Sequence, residues 1–231
     1  MKTIAIILSG GNGVRLGGDI PKQYIEVGGK PIIQYSLETF SKMQEIDGFV
    51  ICLAEEWKLY VQAIVVELGI TKNVLFSQPG EARQITIYNA LKTLELYGLG
   101  NDDIVVIHDA ARPLVSQKLI RRCIEGCKKA DGILPCVPVK DTLYHSTDGR
   151  SIASLLKRSE IVAGQAPETF VFGKYLEVHE RMNYDDIFQI SGSTEIAYKM
   201  GLNVNLVKGE ENNFKITTCE DLERFKSILN K

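Results

Sequence analysis

Apolar runs alternate with amphipathic stretches along most of the chain. Four runs are continuous and rich in Val, Ile and Leu: TIAIILS at residues 3–9, GFVICLA at 48–54, NVLFSQ at 73–78 and DIVVIHD at 103–109. Between and after them, apolar positions at helical spacing predict helices over residues 31–42, 55–68, 82–97 and 117–130. Uninterrupted strands separated by helices predict βαβ units, hence an α/β, Rossmann-like fold with a mainly parallel sheet and helices on both faces. In such sheets ligands bind beyond the carboxyl ends of the strands. A glycine loop starting at Ser9 and the HDAARP segment starting at His108 both fall there.

The pattern changes after Cys136. Residues 137–158 read VPVKDTLYHSTDGRSIASLLKR, with a Thr-Asp-Gly turn between two strand-like arms. This predicts a protruding β-hairpin of about twenty residues. Helices are then expected at 173–182 and 194–201, a strand at 203–209, and a closing helix at 219–229. Thr218 is placed to cap that last helix, with Asp221 as its capping-box partner. With no repeat, low-complexity tract or linker, the expectation is one domain, 1–231, carrying a β-arm at about 137–158.

Composition narrows the possible partners. A net charge of −2 gives no global attraction for nucleic acid or an anionic membrane, so any bound anion needs a local cluster of cations. No apolar run approaches the ~20 residues that span a bilayer, and residues 4–8 are too short for a secretory segment. Five scattered cysteines, Cys52, Cys123, Cys127, Cys136 and Cys219, lack metal-site spacing and read as reduced core thiols of a cytoplasmic protein.

The opening loop reads SGGNGVRLGGDIPKQY, with three glycines in four positions. A glycine loop after a strand aims several backbone N–H groups at one point, a nest that suits a polyphosphate. Leu8, Ser9, Gly10, Gly11 and Gly13 are the candidate nucleotide-binding positions. The loop is neither G-x-G-x-x-G nor a P-loop with Lys-Ser/Thr, which argues against a dinucleotide enzyme and a P-loop ATPase. Arg15 and Lys22 flank it, and two cations at a phosphate nest would neutralise charge that develops during substitution. Asp109, an acid at a phosphate site, calls for a cation between them and is the candidate Mg²⁺ ligand. Arg112, three residues on, is placed to pair with Asp109 or hold a substrate phosphate. In an extended strand His108 points away from Asp109.

The fragments GGNGVRLG…PKQY, PGEARQITIYNAL, VVIHDAARPLV, KDT, GQAPETF and NNFKITTCEDL, in this order, resemble the CTP-dependent cytidylyltransferases that act on methylerythritol phosphate or ribitol phosphate. The likeness runs from about residue 3 to 228. It implies a nucleotidyltransferase fold, an arm that embraces the arm of a second subunit, and an Mg²⁺-dependent in-line attack of the acceptor phosphate on CTP. By that resemblance Arg15 and Lys22 stabilise the transition state, and Gly80, Arg83 and Thr86 close over cytosine and ribose. Asp109 is the metal-proximal acid, Arg112 and Thr142 line the sugar-phosphate pocket, and Arg158 and Lys215 position the attacking phosphate, Arg158 either in its own subunit or across a dimer.

Two departures leave the acceptor open. Ala166-Pro167-Glu168 stands where the family usually has Thr-Pro-Gln, and Ser191-Gly192-Ser193 where the erythritol enzymes usually have Thr-Asp-Glu. Glu168 is expected to point away from the phosphate unless Arg158 or another cation neutralises it. HDAARP leans to the erythritol branch, whereas Trp57 and the Gly-Gln before Ala166 lean to the ribitol branch. The rival from another class is a non-catalytic module that keeps the fold and senses CTP or a sugar phosphate.

Overall fold

The computed structural model describes residues 1–11 and 20–230. Gly13 and Arg15 lie outside the described residues. Four parallel strands form the heart of the sheet: β1 (Thr3–Leu8), then, past a small hairpin of β2 (Glu26–Val27) and β3 (Lys30–Pro31), β4 (Gly48–Cys52), β5 (Asn73–Ser77) and β6 (Ile104–Asp109). Each lies within a residue or two of its predicted span. Helices α1 (Ile32–Ser41), α2 (Lys58–Glu67), α3 (Arg83–Leu96) and α4 (Gln117–Cys127) follow these strands in turn, the last capped by Ser116, whose hydroxyl accepts from the Leu119 N–H.

The alternation of side chains along β1 shows why both faces are covered. Ala5 and Ile7 join a cluster with Leu37 of α1, Val61 of α2 and Ile120 of α4. Ile4 and Ile6 turn the other way, into a cluster with Ile87 and Leu91 of α3. Fully buried Ile and Val side chains contribute about 1.5–3 kcal/mol each, so a strand buried on both faces gains twice.

Beyond β6 the sheet departs from simple α/β winding. β7 (Gly132–Pro138), β10 (Val162–Gly164) and β11 (Glu168–Val171) complete one side in the order β10-β7-β11-β6-β1-β4-β5, after the hairpin strands β8 (Tyr144–His145) and β9 (Ser154–Leu155). β11 is antiparallel to both β6 and β7. Helices α5 (Phe172–Arg181), α6 (Tyr184–Ile187) and α7 (Ser193–Lys199) lead to β12 (Val204–Lys208), which pairs with β7 in parallel. α8 (Cys219–Leu229) closes the chain with a full Thr218–Asp221 capping box, as its sequence predicts.

The arm is a hairpin pairing Tyr144 with Leu155 and His145 with Ser154. Its turn is set by Asp148, whose carboxylate accepts from the Arg150 and Ser151 N–H groups at 2.8 Å, and by Gly149 at φ +67°. Tyr144, Ile152 and Leu155 are all more than half exposed on it. The cysteine expectation needs one correction: Cys52, Cys123 and Cys127 are core thiols pushed up to about 12 by burial, but Cys136 is only half-buried and Cys219, at the exposed start of α8, is on the surface. No helix among the described residues is long and apolar enough to cross a membrane.

Candidate active site

The register of the central strands builds the site. Leu8, the last residue of β1, lies opposite Asp109, the last residue of β6, so the glycine loop and the acid leave the sheet side by side. Gly10 passes so close to Pro79 that a Cβ there would sit 2.4 Å from the proline's own Cβ, which excludes any larger residue. The loop is held from behind. Gln23 donates to the carbonyls of Ser9 (2.7 Å) and Gly11 (2.9 Å), and the buried Ser9 hydroxyl bonds Tyr24 at 2.9 Å. Tyr24 in turn stacks on Trp57, 4.2 Å between ring centroids. Ser9 is therefore tied to the protein by its side chain, and Trp57 is a packing residue behind the loop.

Two cavities meet at this end of the sheet. The larger, about 640 Å³, runs from Leu8, Gly10 and Gly11 past Lys22 to Gly80, Arg83 and Thr86. The smaller, about 320 Å³, is walled by Arg112, Gln165, Ala166, Glu168, Ser191 and Thr194. Arg83, Asp109 and Lys215 line both.

Asp109 is the centre of that shared wall. It pairs with Arg83 at 2.5 Å, Arg112 at 3.2 Å and Lys215 at 3.3 Å. Burial alone would raise its pKa, but the charges of Arg83, Lys215 and Arg112 outweigh burial and hold it well below the usual carboxylate range. His108 does point the other way, toward Ser36 and the Arg112 carbonyl (3.1 Å), and burial lowers it to about 4.

The predicted cations divide into groups. Lys22 and Lys215 reach one cavity from two sides, and the Lys22 ammonium donates to the Ile216 carbonyl at 2.8 Å, one residue beyond Lys215. Arg112 donates to the Asn213 carbonyl at 2.8 Å and lines the smaller cavity. Arg158 and Thr142 lie exposed on and beside the arm, in neither cavity of their own chain; Arg158 donates to the Lys140 carbonyl. Thr86 turns its hydroxyl to its own loop, accepting from the Gly80 N–H at 2.9 Å, so it shapes the turn before α3.

Arg83 and Glu168 differ most from the sequence reading. Arg83 spans two carboxylates, donating to Asp109 and, at 3.3 Å, to Glu168. Glu168 does not point away from the site: it lines the smaller cavity, and its cation is Arg83, not Arg158. Gln23, Gln165 and Asn213 are the positions to which sequence reasoning gave no role. Gln165 donates to the Glu210 carbonyl and accepts from its N–H, and Asn213 donates to the Ala166 carbonyl, so these two amides dock the Lys215 loop onto the sheet. No motif marks a buried amide that holds backbone.

A glycine loop and an acid at adjacent strand ends, with the cations Lys22, Arg83, Arg112 and Lys215 converging from four segments, define an α/β nucleotidyltransferase. Comparison with known proteins agrees in detail. Residues 3–231 match the family model for 2-C-methyl-D-erythritol 4-phosphate cytidylyltransferase, and the chain belongs to that family. Relatives of that name from Clostridium beijerinckii and Clostridioides difficile are 37% and 32% identical, over 94% and 97% of this chain and 94% and 92% of their own. The crystal structure of the Francisella tularensis enzyme, 27% identical, superposes with a TM-score of 0.82 over 98% of this chain and 99% of that one. A 4-diphosphocytidyl-2C-methyl-D-erythritol synthase structure from Anaerococcus prevotii, 24% identical, shares the fold with a TM-score of 0.84 over 100% and 96%.

Proposed function

We propose that the chain is a single-domain, cytoplasmic enzyme that transfers CMP from CTP to 2-C-methyl-D-erythritol 4-phosphate and releases pyrophosphate. The observation that carries this reading is the shared wall: Asp109, Arg83 and Lys215 face both a cavity large enough for a nucleotide and a smaller one beside it. Two polyanions brought together there repel each other, and cations at the junction offset that repulsion while holding the reacting groups in line.

An oxygen of the acceptor phosphate attacks the α-phosphorus of CTP as the bond to the β-phosphate oxygen breaks. The new bond is a diphosphate link, and pyrophosphate carries the displaced electron pair. Lys22 sits at the nucleotide side of the junction and Lys215 between the two sites, which suits Lys22 to the leaving and equatorial oxygens and Lys215 to the attacking phosphate. Arg15 shares the Lys22 role by resemblance. Gly10, Gly11 and Gly80 supply a close-fitting backbone to the nucleotide, and Arg112 takes the acceptor phosphate.

Mg²⁺ suits this site only together with substrate. Among the described residues no group of three or more His, Cys, Asp or Glu forms a metal cage. Mg²⁺ commonly binds through one carboxylate plus substrate phosphates. A carboxylate has about four lone-pair positions, and the three cations around Asp109 leave room for one more partner. Asp109 is thus the residue that would hold the ion, which supplies charge neutralisation on the phosphate oxygens. Thr142 and Arg158 enter this scheme through a homodimer, each arm presenting them to a neighbouring subunit.

Pyrophosphate release from CTP, measured against a panel of polyol phosphates, tests the reading. Turnover with 2-C-methyl-D-erythritol 4-phosphate well above all others is expected. Preference for ribitol 5-phosphate would rename the acceptor, and no release with any member would leave a binding module.

A further inference from the structure

Glu168 stands at a junction that the transfer reaction by itself does not require. Contacts run in a line from Lys215 to Asp109, from Asp109 to Arg83, from Arg83 to Glu168, and from Glu168 to Thr194 at the start of α7. The first members face the nucleotide cavity and the last face only the smaller one. The buried Glu168 carboxylate accepts from three donors: one oxygen takes Arg83 at 3.3 Å, and the other takes both the N–H and the hydroxyl of Thr194 at 2.7 Å. Ser193 adds a second tether, since its buried hydroxyl accepts from Arg83 at 3.2 Å.

All of these partners are donors, so both oxygens of Glu168 must accept for it to hold them together. An amide in its place has one accepting oxygen and would turn its NH₂ against either the guanidinium or the helix N–H. Arg83 and α7 cannot then be held at once. On the reading given above, a nucleotide that orders Arg83 orders the α7 side of the acceptor cavity through this one carboxylate, and an acceptor there orders Arg83 in return.

We propose that Glu168 is a positioning residue that couples the two cavities, so that nucleotide and acceptor bind with positive cooperativity. It rests on the assignment of the larger cavity to CTP and the smaller to the polyol phosphate. The test is calorimetric titration of the full chain with α,β-methylene-CTP, a non-reacting analogue, with and without saturating 2-C-methyl-D-erythritol 4-phosphate. The wild type should bind the analogue at least ~5-fold more tightly when the acceptor is present, within the range usual for coupled sites. Glu168→Gln should keep measurable affinity for each ligand alone but bring that ratio to within about twofold of unity, a change that general loosening of the fold would not produce. Thr194→Val, which removes one of the three donors, should give an intermediate ratio and serves if Glu168→Gln does not fold. Failure of the wild type to bind the acceptor at all overturns the functional reading. Binding of both ligands without coupling, or unchanged coupling in Glu168→Gln (in Thr194→Val, if the former does not fold), overturns the role of Glu168 alone.

Discussion

Lys22 is the side chain to which the proposed reaction assigns charge stabilisation at the larger cavity. The next two residues, Gln23 and Tyr24, are buried and bonded to the loop, so the short turn that carries Lys22 is anchored immediately after it. A cation held this way costs little reorganisation when charge develops opposite it. Lys22→Ala should therefore lower kcat by ~10²–10³ while raising the KM for CTP far less, measured by steady-state pyrophosphate release. A variant of near-normal kcat would return Lys22 to a role in packing the loop alone. Two histidines make a second prediction at this scale. Burial holds His108 and His179 neutral, with pKa values lowered from 6.5 to about 4. The unfolded chain takes up these protons first, so the stability they contribute is complete above pH ~6.5 and is lost as the pH falls toward ~4. Urea midpoints measured from pH 7 to 4.5 should fall steadily, and His179→Phe should flatten the decline. A midpoint independent of pH across that window would contradict the buried, neutral state.

Elements set the reach of these residues, and the arm is the element whose sequence and surroundings disagree most. A two-stranded hairpin is marginal in water on its own. This one nevertheless exposes Tyr144, Ile152 and Leu155 at 55%, 67% and 66%, which is apolar surface that a second arm would cover. Light scattering at micromolar concentration should find a species of two 25.7 kDa chains. Replacing Ile152 and Leu155 with Asp should give the monomer and cut turnover at least ~10-fold, because in the proposed homodimer Arg158 would no longer reach a neighbouring site and losing one charged donor in a transition state costs at least that much. A monomeric variant of full activity would place Arg158 outside the reaction. The helices were more legible than the arm's role. α8 begins where Thr218 and Asp221 predict, because both halves of a capping box are local hydrogen bonds written in adjacent residues. β11 was not predicted: its four residues carry no period, and only the gap between β6 and β7 makes them a strand.

At the scale of the whole molecule the sheet acts as a platform that brings chain positions far apart in sequence to one edge. Residues 8–11, 79–86, 109–112 and 213–216 all arrive there. A nucleotide that touches several of these segments should stabilise the fold as a unit, and CTP at 100 times its Kd should add about 2.7 kcal/mol to the stability of the binding-competent state. The thermal midpoint should rise with CTP and rise less with GTP, since a pocket that hydrogen-bonds one base leaves its own groups unpaired with another. Equal shifts, together with equal turnover of GTP and CTP, would refute the base preference.

Local and periodic information was sufficient for a good part of this protein. Continuous Val/Ile strands specify burial on both faces, strand ends specify where ligands bind, and a glycine loop followed by isolated cations specifies an anion site. These follow from side-chain periodicity and backbone sterics within a few residues, so the strands that end at Leu8 and Asp109 are legible in the sequence. Which charges meet depended on the fold. Arg83 and Glu168 are separated by 85 positions, and Glu168 and Thr194 by 26, with no pattern linking them. They are partners because β11 runs antiparallel beside β6, carrying Glu168 opposite Ile107 and within reach of α3 and α7. Electrostatic energy depends on distance and burial, and both are properties of the packed chain. Tertiary structure alone therefore decided that Glu168 faces the site and that Arg83 is its counter-ion.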